Sequence, residues 1–186
     1  MSELQARSTR RLAILTISDA GSRGERQDTS GPAISEFMGQ LGYTEVVREL
    51  VPDEHAKIAE QLMSWCDGGE VDVILTTGGT GLSPRDVTPE ATRSVIEYEV
   101  PGFPEAVRAG TADKTRMAML SRAVAGMRAG CLVINLPGSP NGVRQALEVI
   151  GPVIGHAIDI ARGRDSHGSE HDGHSGHTDH SGHTTH

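Results

Sequence analysis

The sequence contains few aromatic residues, few cysteines and no long apolar segment. Only 3% of the 186 residues are aromatic, and acidic residues outnumber lysine and arginine, 25 against 17. Nucleic-acid-binding proteins usually present a basic surface and aromatic side chains on which bases stack, so this composition argues against a nucleic-acid partner. No run of about 18 apolar residues occurs, and we therefore expect no membrane-spanning helix and no membrane partner.

The two cysteines, Cys66 and Cys131, each lie inside an apolar segment. Isolated cysteines of this kind are typical of reduced core residues in a cytoplasmic protein. The first residues, MSELQARSTRR, are polar, with no apolar stretch before a cleavage site, so we expect no secretory signal. Together these features predict a cytoplasmic location.

The last 22 residues differ sharply in composition from the rest of the chain. They contain 7 of the 9 histidines and 4 of the 25 acidic residues, but no lysine, arginine or apolar residue. The other 164 residues carry a net charge of −4, half the −8 of the whole chain, and about 41% of them are apolar, as in an ordinary globular domain. We predict a flexible N-terminus over residues 1–10, one domain over residues 11–163 and a disordered histidine-rich tail over residues 164–186.

Short apolar strands alternate with amphipathic helices in the predicted domain. Runs rich in apolar and β-branched residues predict four strands, over residues 11–18, 43–51, 71–77 and 131–136. Apolar side chains at helical spacing predict one helix over residues 33–41 and another that contains Ile58 and Trp65. This alternation indicates right-handed crossovers and a three-layer α/β/α domain with a mostly parallel central sheet.

Three local details add to this pattern. Thr88 is predicted to cap a helix whose first residue is Pro89. The last helix contains Pro152 directly after a glycine, so we expect a break or kink there. Residues 120–127 alternate in polarity and are predicted to form an additional edge strand.

The loops that follow the four predicted strands are small, polar and rich in glycine. In a mostly parallel sheet such loops gather outside the carboxyl ends of the strands, where ligands bind. Among their polar residues are two carboxylates, Asp53 after the second strand and Asp86 after the third. The opposite ends of the strands show no such bias. We therefore expect the functional site at the carboxyl edge of the sheet.

The loop after the third strand begins with Gly78-Gly79-Thr80-Gly81. Successive main-chain N–H groups of such a loop, with a hydroxyl beside them, can bind a phosphate. The same glycines would equally serve a tight strand-to-helix turn that needs positive φ. The loop is not a Walker loop, because no Gly-Lys-Ser/Thr follows it.

Asp53 and Asp86 come from neighbouring loops and are expected to approach each other. Two carboxylates near a triphosphate would hold Mg²⁺, which neutralises charge during phosphoryl or nucleotidyl transfer. Alternatively, Asp53 caps the helix that carries Ile58, and Asp86 is a turn residue. The residues alone leave both interpretations equally open.

Several further motifs occur together and in a fixed order along the chain. The segments 76–81 and 85–92 are accompanied by Ser18-Asp19, Ser22-Arg23-Gly24, Asp28-Thr29-Ser30-Gly31, Val51-Pro52-Asp53, Pro101-Gly102-Phe103, Leu120-Ser121-Arg122 and Asn135-Leu136-Pro137-Gly138-Ser139-Pro140. Together they resemble the MoaB/Mog family of molybdenum cofactor biosynthesis. The resemblance covers residues 11–163, nearly the whole predicted domain.

This resemblance implies a molybdopterin-binding α/β fold that assembles as a homotrimer. It also implies adenylyl transfer from Mg-ATP to the phosphate of molybdopterin, which gives adenylyl-molybdopterin and pyrophosphate. In the adenylylating members, the positions that match Asp53 and Asp86 are carboxylates needed for catalysis, with Mg²⁺ held through ATP. The positions that match substrate- or nucleotide-binding residues are Ser18, Asp19, Gly78, Gly79, Thr80, Gly81, Ser121, Arg122, Asn135, Pro137, Gly138 and Ser139. A downstream molybdenum-insertion protein is a further implied partner.

Two other functions compete with this enzyme. A MoaB-type member of the family would bind molybdopterin or its precursor without transferring an adenylyl group. The second alternative is a metal-handling protein, because neutral imidazoles at high density bind Ni²⁺, Zn²⁺, Cu²⁺ or Co²⁺. The family does not require the tail, which therefore either chelates metal adventitiously or stores it. Its histidines are His167, His171, His174, His177, His180, His183 and His186.

Overall fold

The computed structural model describes residues 9–163, in which strands and helices alternate. The strands are β1 (Arg10–Ile17), β2 (Tyr43–Val51), β3 (Val73–Thr77), β4 (Tyr98–Glu99), β5 (Ala125–Arg128) and β6 (Cys131–Leu136). The helices are α1 (Asp19–Ser22), α2 (Ser30–Gln40), α3 (His55–Asp67), α4 (Thr88–Val95), α5 (Gly102–Thr111) and α6 (Pro140–Ala161), with a 3₁₀ helix at Arg116–Leu120. The predicted tail, its histidines and residues 1–8 lie outside the described residues.

The strands form one six-stranded sheet in the order β2-β1-β3-β6-β5-β4. β1 pairs in parallel with β2 and with β3, and β3 pairs in parallel with β6. β5 is antiparallel to both β6 and β4. The four parallel strands are the four that the sequence predicted, and the three-layer α/β/α architecture with a mostly parallel sheet is confirmed.

An apolar core lies on each face of the sheet. Leu12 and Ile14 of β1 pack in the core that includes residues of α2, α5 and α6. Ala13 and Leu15, which alternate with them, pack in the core formed with α3 and α4. Because helices cover both faces, β1 is buried and apolar along almost its whole length, which explains why its sequence predicted a strand so directly.

The antiparallel side of the sheet differs from the prediction. Residues 116–120 form the 3₁₀ helix, whose first turn is capped by the Thr115 hydroxyl, so the strand begins only at Ala125. β5 also lies between two strands, and the edge strand is β4. β4 has two residues, too few for an alternating pattern to reveal it.

Two helix predictions are corrected by local geometry. The residue that caps α4 is Val87, and Thr88 is already helical. The Thr88 hydroxyl donates to the Gly78 carbonyl oxygen at 2.9 Å, so it does not cap the helix. α6 runs unbroken through Pro152. Pro152 lies on the exposed face, as does Glu148 one turn earlier, so water can reach the carbonyl that loses its N–H partner. Although α6 has 22 residues, neither it nor another helix of residues 9–163 has the length and apolarity to cross a membrane.

Candidate functional site

The loops after β1, β3 and β6 touch one another at the carboxyl edge of the sheet. The Thr77 hydroxyl donates to the Pro137 carbonyl oxygen at 2.6 Å, and the Ser30 hydroxyl donates to the Gly138 carbonyl oxygen at 3.0 Å. A Cβ atom on Gly138 would lie only 3.2 Å from Gly78 Cα. The predicted gathering of these loops therefore occurs through hydroxyl-to-carbonyl hydrogen bonds and through the close approach of Gly138 to Gly78.

Two glycines of the 78–81 loop have positive φ, as a tight turn requires. Gly78 has φ +101, and a Cβ atom there would lie 2.2 Å from the Ile17 carbonyl oxygen. Gly79 has φ +63, and a Cβ atom would lie 2.4 Å from Thr88 Oγ1 and 3.1 Å from Asp53 Oδ1. A side chain at either position would push the loop away from its neighbours. These glycines therefore allow the close approach of the loop to β1 and to Asp53.

Two cavities open at this edge, and Gly138 lines both of them. The smaller, of about 220 Å³, is mostly polar and is lined by four further predicted residues: Ser18, Asp53, Gly79 and Asp86. The larger, of about 360 Å³, is lined by Thr80, Gly81, Ser121, Pro137 and Ser139 among the predicted residues. It also contains apolar side chains, including Val107, Met117 and Leu120. The site thus offers a polar and a more apolar compartment side by side.

The carboxylate of Asp53 is held by the main chain of the first loop. Its Oδ2 accepts a hydrogen bond from the Asp19 N–H at 2.8 Å, and the Asp53 N–H donates to Asp19 Oδ1 at 3.0 Å. Burial raises the pKa of Asp53 above its ordinary value, and the charges of Asp19 and Asp86 raise it further, whereas the Asp19 N–H acts against them. α3 is capped at Glu54, so the alternative in which Asp53 caps this helix is wrong.

Asp86 is a turn residue, as one of the two interpretations had it, and its side chain also reaches the candidate site. Its Oδ2 accepts a hydrogen bond from the Ser83 N–H at 2.8 Å, which closes the turn. The side chain also lines the polar cavity with Asp53. Gly81 allows this position, since a Cβ atom there would lie 2.9 Å from Asp86 Oδ2.

Asp19 lies behind the polar cavity and does not line it. Its carboxylate pairs with the Arg85 guanidinium, with Arg85 Nη2 2.7 Å from Asp19 Oδ2. Hydrogen bonds from Arg85 are the main reason that the pKa of Asp19 lies below its ordinary value. Asp19 therefore remains charged and forms a link between Arg85 and Asp53.

Arg122 and Asn135 were predicted to line the ligand pocket, but neither side chain faces the two cavities. Arg122 donates to the Gly81 carbonyl oxygen at 2.7 Å and to the Asp86 carbonyl oxygen at 2.5 Å, and it pairs with Glu90. It therefore holds the 81–86 loop in place without lining either cavity.

Asn135 is only 3% exposed and lies beneath the site. Its Nδ2 donates to Thr76 Oγ1 at 3.0 Å and to Thr92 Oγ1 at 2.9 Å, and its Oδ1 accepts from the Val124 N–H at 3.1 Å. The amide is thus occupied in joining β3, α4 and the chain before β5.

Asp28 is a residue of the site to which the sequence assigned no role. It accepts hydrogen bonds from the Thr16 hydroxyl at 2.8 Å and from the N–H groups of Ser30 and Gly31 at 3.0 Å. It thus binds N–H groups of the first turn of α2, whose N-cap residue is Thr29, and it lines the polar cavity. An aspartate two residues before a helix start is typical of an Asx turn, and this signal would have identified it.

The described residues offer two carboxylates for a metal rather than a complete ligand set. Within residues 9–163, no group of three or more His, Cys, Asp or Glu side chains could hold a metal ion. Asp53 and Asp86 supply hard oxygen ligands of the kind that Mg²⁺ prefers. Because Mg²⁺ often binds through one or two carboxylates plus substrate phosphates and water, this donor set fits a metal that arrives with a nucleotide.

Comparisons with known proteins show which proteins this chain is similar to. Residues 13–156 match the family model described as a probable molybdopterin binding domain. The molybdopterin adenylyltransferase of Helicobacter pylori (strain J99) is 40% identical over 154 residues, 82% of this chain and 88% of its own. The molybdenum cofactor synthesis protein cinnamon of Drosophila melanogaster is 40% identical over 148 residues, 79% of this chain, which spans only 25% of that longer protein.

A solved structure is also similar to this chain in sequence and in fold. The molybdopterin biosynthesis enzyme MoaB from Thermus thermophilus is 50% identical, with a TM-score of 0.79 over 83% of this chain and 98% of its own. The chain therefore belongs to the MoaB/Mog family of molybdenum cofactor biosynthesis proteins.

Replacing Asn135 by leucine tests whether this side chain supports the fold or lines the pocket. The variant removes three buried hydrogen bonds at similar volume, so we expect a free energy of unfolding lower by about 2–4 kcal/mol. Urea unfolding measures this loss. The control is Asn141→Leu at an exposed position of α6, where we expect a change within about 0.5 kcal/mol. Equal stability of the wild type and Asn135→Leu would contradict the supporting role.

Proposed function

We propose that this protein transfers the adenylyl group of ATP to the phosphate of molybdopterin, giving adenylyl-molybdopterin and pyrophosphate. The observation that carries this proposal is that Gly79, Asp53 and Asp86 line one polar cavity, while Thr80 and Gly81 of the same loop line the more apolar cavity beside it. The molybdopterin adenylyltransferases at about 40% identity support the same reaction.

The reaction needs positioning and charge neutralisation more than proton transfer. A phosphate oxygen of molybdopterin attacks the α-phosphorus of ATP, and the bond from that phosphorus to the α,β-bridging oxygen breaks as pyrophosphate leaves. The nucleophile is already an anion, so no strong general base is required. The main-chain N–H groups of residues 78–81 are proposed to bind phosphate oxygens, and the polar cavity orients the triphosphate.

Asp53 and Asp86 are the residues that would hold Mg²⁺ together with ATP. Bound there, Mg²⁺ would screen the negative charge of the phosphates. The carboxylates repel each other, since the charge of Asp86 contributes to the raised pKa of Asp53. A site with this excess of negative charge favours a substrate that brings its own cation.

Substituting either carboxylate by its amide tests the proposal. Asp53→Asn and Asp86→Asn keep the side-chain shape but remove the charge that holds Mg²⁺, and we expect each to lower kcat at least about 100-fold. The assay incubates the protein with molybdopterin and Mg-ATP and measures adenylyl-molybdopterin and pyrophosphate. The matched control is Asp67→Asn in an exposed ion pair with Arg128, for which we expect wild-type turnover.

Two results would count against adenylyl transfer. One is the absence of turnover in the wild type, and the other is a wild type that is indistinguishable from Asp53→Asn. Tight binding of molybdopterin without measurable affinity for ATP would instead favour a MoaB-type binding protein.

The same proposal includes an assembly and a partner. A homotrimer is supported by the family resemblance and by exposed apolar side chains beside the larger cavity, where Met117 and Met119 are 66% and 72% exposed. The product would be consumed by a protein that inserts molybdenum, and we propose that both act in the cytoplasm.

We also propose that the tail binds divalent transition metals independently of the transfer reaction. Its seven histidines, from His167 to His186, stand mostly three residues apart. Acidic residues interspersed among them, and the absence of lysine and arginine, favour a bound cation. Neutral imidazoles at this density suit Ni²⁺, Zn²⁺, Cu²⁺ and Co²⁺.

Calorimetric titration of Ni²⁺ and Zn²⁺ into the full chain tests the tail. Replacing all seven tail histidines by glutamine removes the imidazole ligands, so we expect the affinity to fall at least about tenfold. Adenylyl transfer should be unchanged. His55→Gln, an exposed histidine of α3, is the control and should bind like the wild type. Equal binding by the sevenfold variant and the wild type would place the metal elsewhere.

A further inference from the structure

The carboxylates of Asp53 and Asp86 lie in separate loops, and each is held by a main-chain N–H group. Asp53 accepts from the Asp19 N–H at 2.8 Å, and Asp86 accepts from the Ser83 N–H at 2.8 Å. A group that acts on both carboxylates together needs them at a fixed separation. A connection between the loop after β2 and the loop after β3 would fix that separation.

Arg85 makes that connection. It precedes Asp86 in the chain, and its guanidinium reaches the carboxylate of Asp19 in the loop after β1. Nε lies 3.0 Å from Asp19 Oδ2, and Nη2 lies 2.9 Å from Oδ1 and 2.7 Å from Oδ2. The planar guanidinium thus binds the carboxylate with two nitrogens, a geometry that fixes direction as well as distance.

Asp19 continues the link to Asp53. Its N–H donates to the Asp53 carboxylate, and its own carboxylate accepts from the Asp53 N–H at 3.0 Å. The same Asp19 carboxylate therefore binds Arg85 on one side and the main chain of Asp53 on the other. A continuous series of contacts runs from Asp86 through Arg85 and Asp19 to Asp53.

We propose that Arg85 is a positioning residue that fixes the Asp53 carboxylate through Asp19. This inference rests on the proposed adenylyl transfer for its effect on rate, but the link itself is a property of the free protein. Arg85 does not line the polar cavity, whereas Asp53 and Asp86 do. Its effect on the reaction is consequently indirect.

The alternative role for Arg85 is that of a surface ion pair with no effect on the site. The Arg85 side chain is 59% exposed, and exposed ion pairs contribute little to stability. Arg85→Met should therefore remain folded, which makes it a usable variant. Arg93→Met is the matched control, because Arg93 is 49% exposed and pairs with Glu99 away from the two cavities.

Amide hydrogen exchange tests the link without any assay of activity. The N–H groups of Asp19 and Asp53 both belong to the series of contacts. In Arg85→Met we expect both amides to exchange at least about tenfold faster than in the wild type, and in Arg93→Met at the wild-type rate. Unchanged exchange at both amides in Arg85→Met would overturn the proposal.

Kinetics distinguish positioning from direct binding of substrate. A carboxylate displaced by a fraction of an ångström should lower kcat of Arg85→Met by about 10- to 100-fold, with KM for ATP within about threefold of wild type. Arg85→Lys keeps the charge but loses the two-nitrogen geometry, so we expect only partial recovery. A KM for ATP raised more than about tenfold with kcat retained would mean that Arg85 binds the nucleotide, and would overturn the proposal.

The two proposals fail in different ways. A wild type that transfers no adenylyl group would overturn the proposed function, and faster exchange at Asp19 and Asp53 in Arg85→Met would still support the link. Normal transfer by the wild type together with normal kcat in Arg85→Met would overturn the positioning role alone.

Discussion

The site depends on the absence of a side chain where three loops meet. Gly78 approaches the Ile17 carbonyl oxygen so closely that a Cβ atom would lie 2.2 Å from it, and a Cβ atom on Gly138 would lie 3.2 Å from Gly78 Cα. The absence of these Cβ atoms lets the ends of β1, β3 and β6 lie close together at the carboxyl edge of the sheet, where Gly138 lines both the polar and the more apolar cavity.

The charge of the domain explains why such local contacts matter. Residues 1–164 carry a net charge of −4, so no general positive field attracts the anions that the proposed reaction uses. Oriented N–H groups and carboxylates that recruit a cation must act over short distances instead. Two arginines near the site are bound within the protein, Arg85 to Asp19 and Arg122 to the 81–86 loop. These guanidinium groups hold the loops of the site in place.

The features that the sequence predicted are those that depend on local residue patterns and on the regular spacing of apolar residues. The parallel strands, the gathering of loops at the carboxyl edge and the position of Asp53 and Asp86 at one site were predicted, because β-branched runs and strand-end loops are visible in the chain itself. The enclosed position of Asn135 was not, since its three hydrogen bonds reach Thr76, Thr92 and Val124 across the fold. For the same reason the Arg85–Asp19 contact, 66 residues apart, could not be predicted. Pro152 shows that an exposed proline can remain within a helix when packing supports both sides.

The central claim is that the triphosphate of ATP is bound at this edge of the sheet. The most direct test is a crystal structure with Mg²⁺ and an ATP analogue that has a methylene group between the α- and β-phosphates. We predict α-phosphate oxygens within hydrogen-bond distance of N–H groups of residues 78–81, and the metal bound by carboxylate oxygens of Asp53 and Asp86. A nucleotide bound elsewhere, or one whose phosphates face away from both carboxylates, would contradict the account.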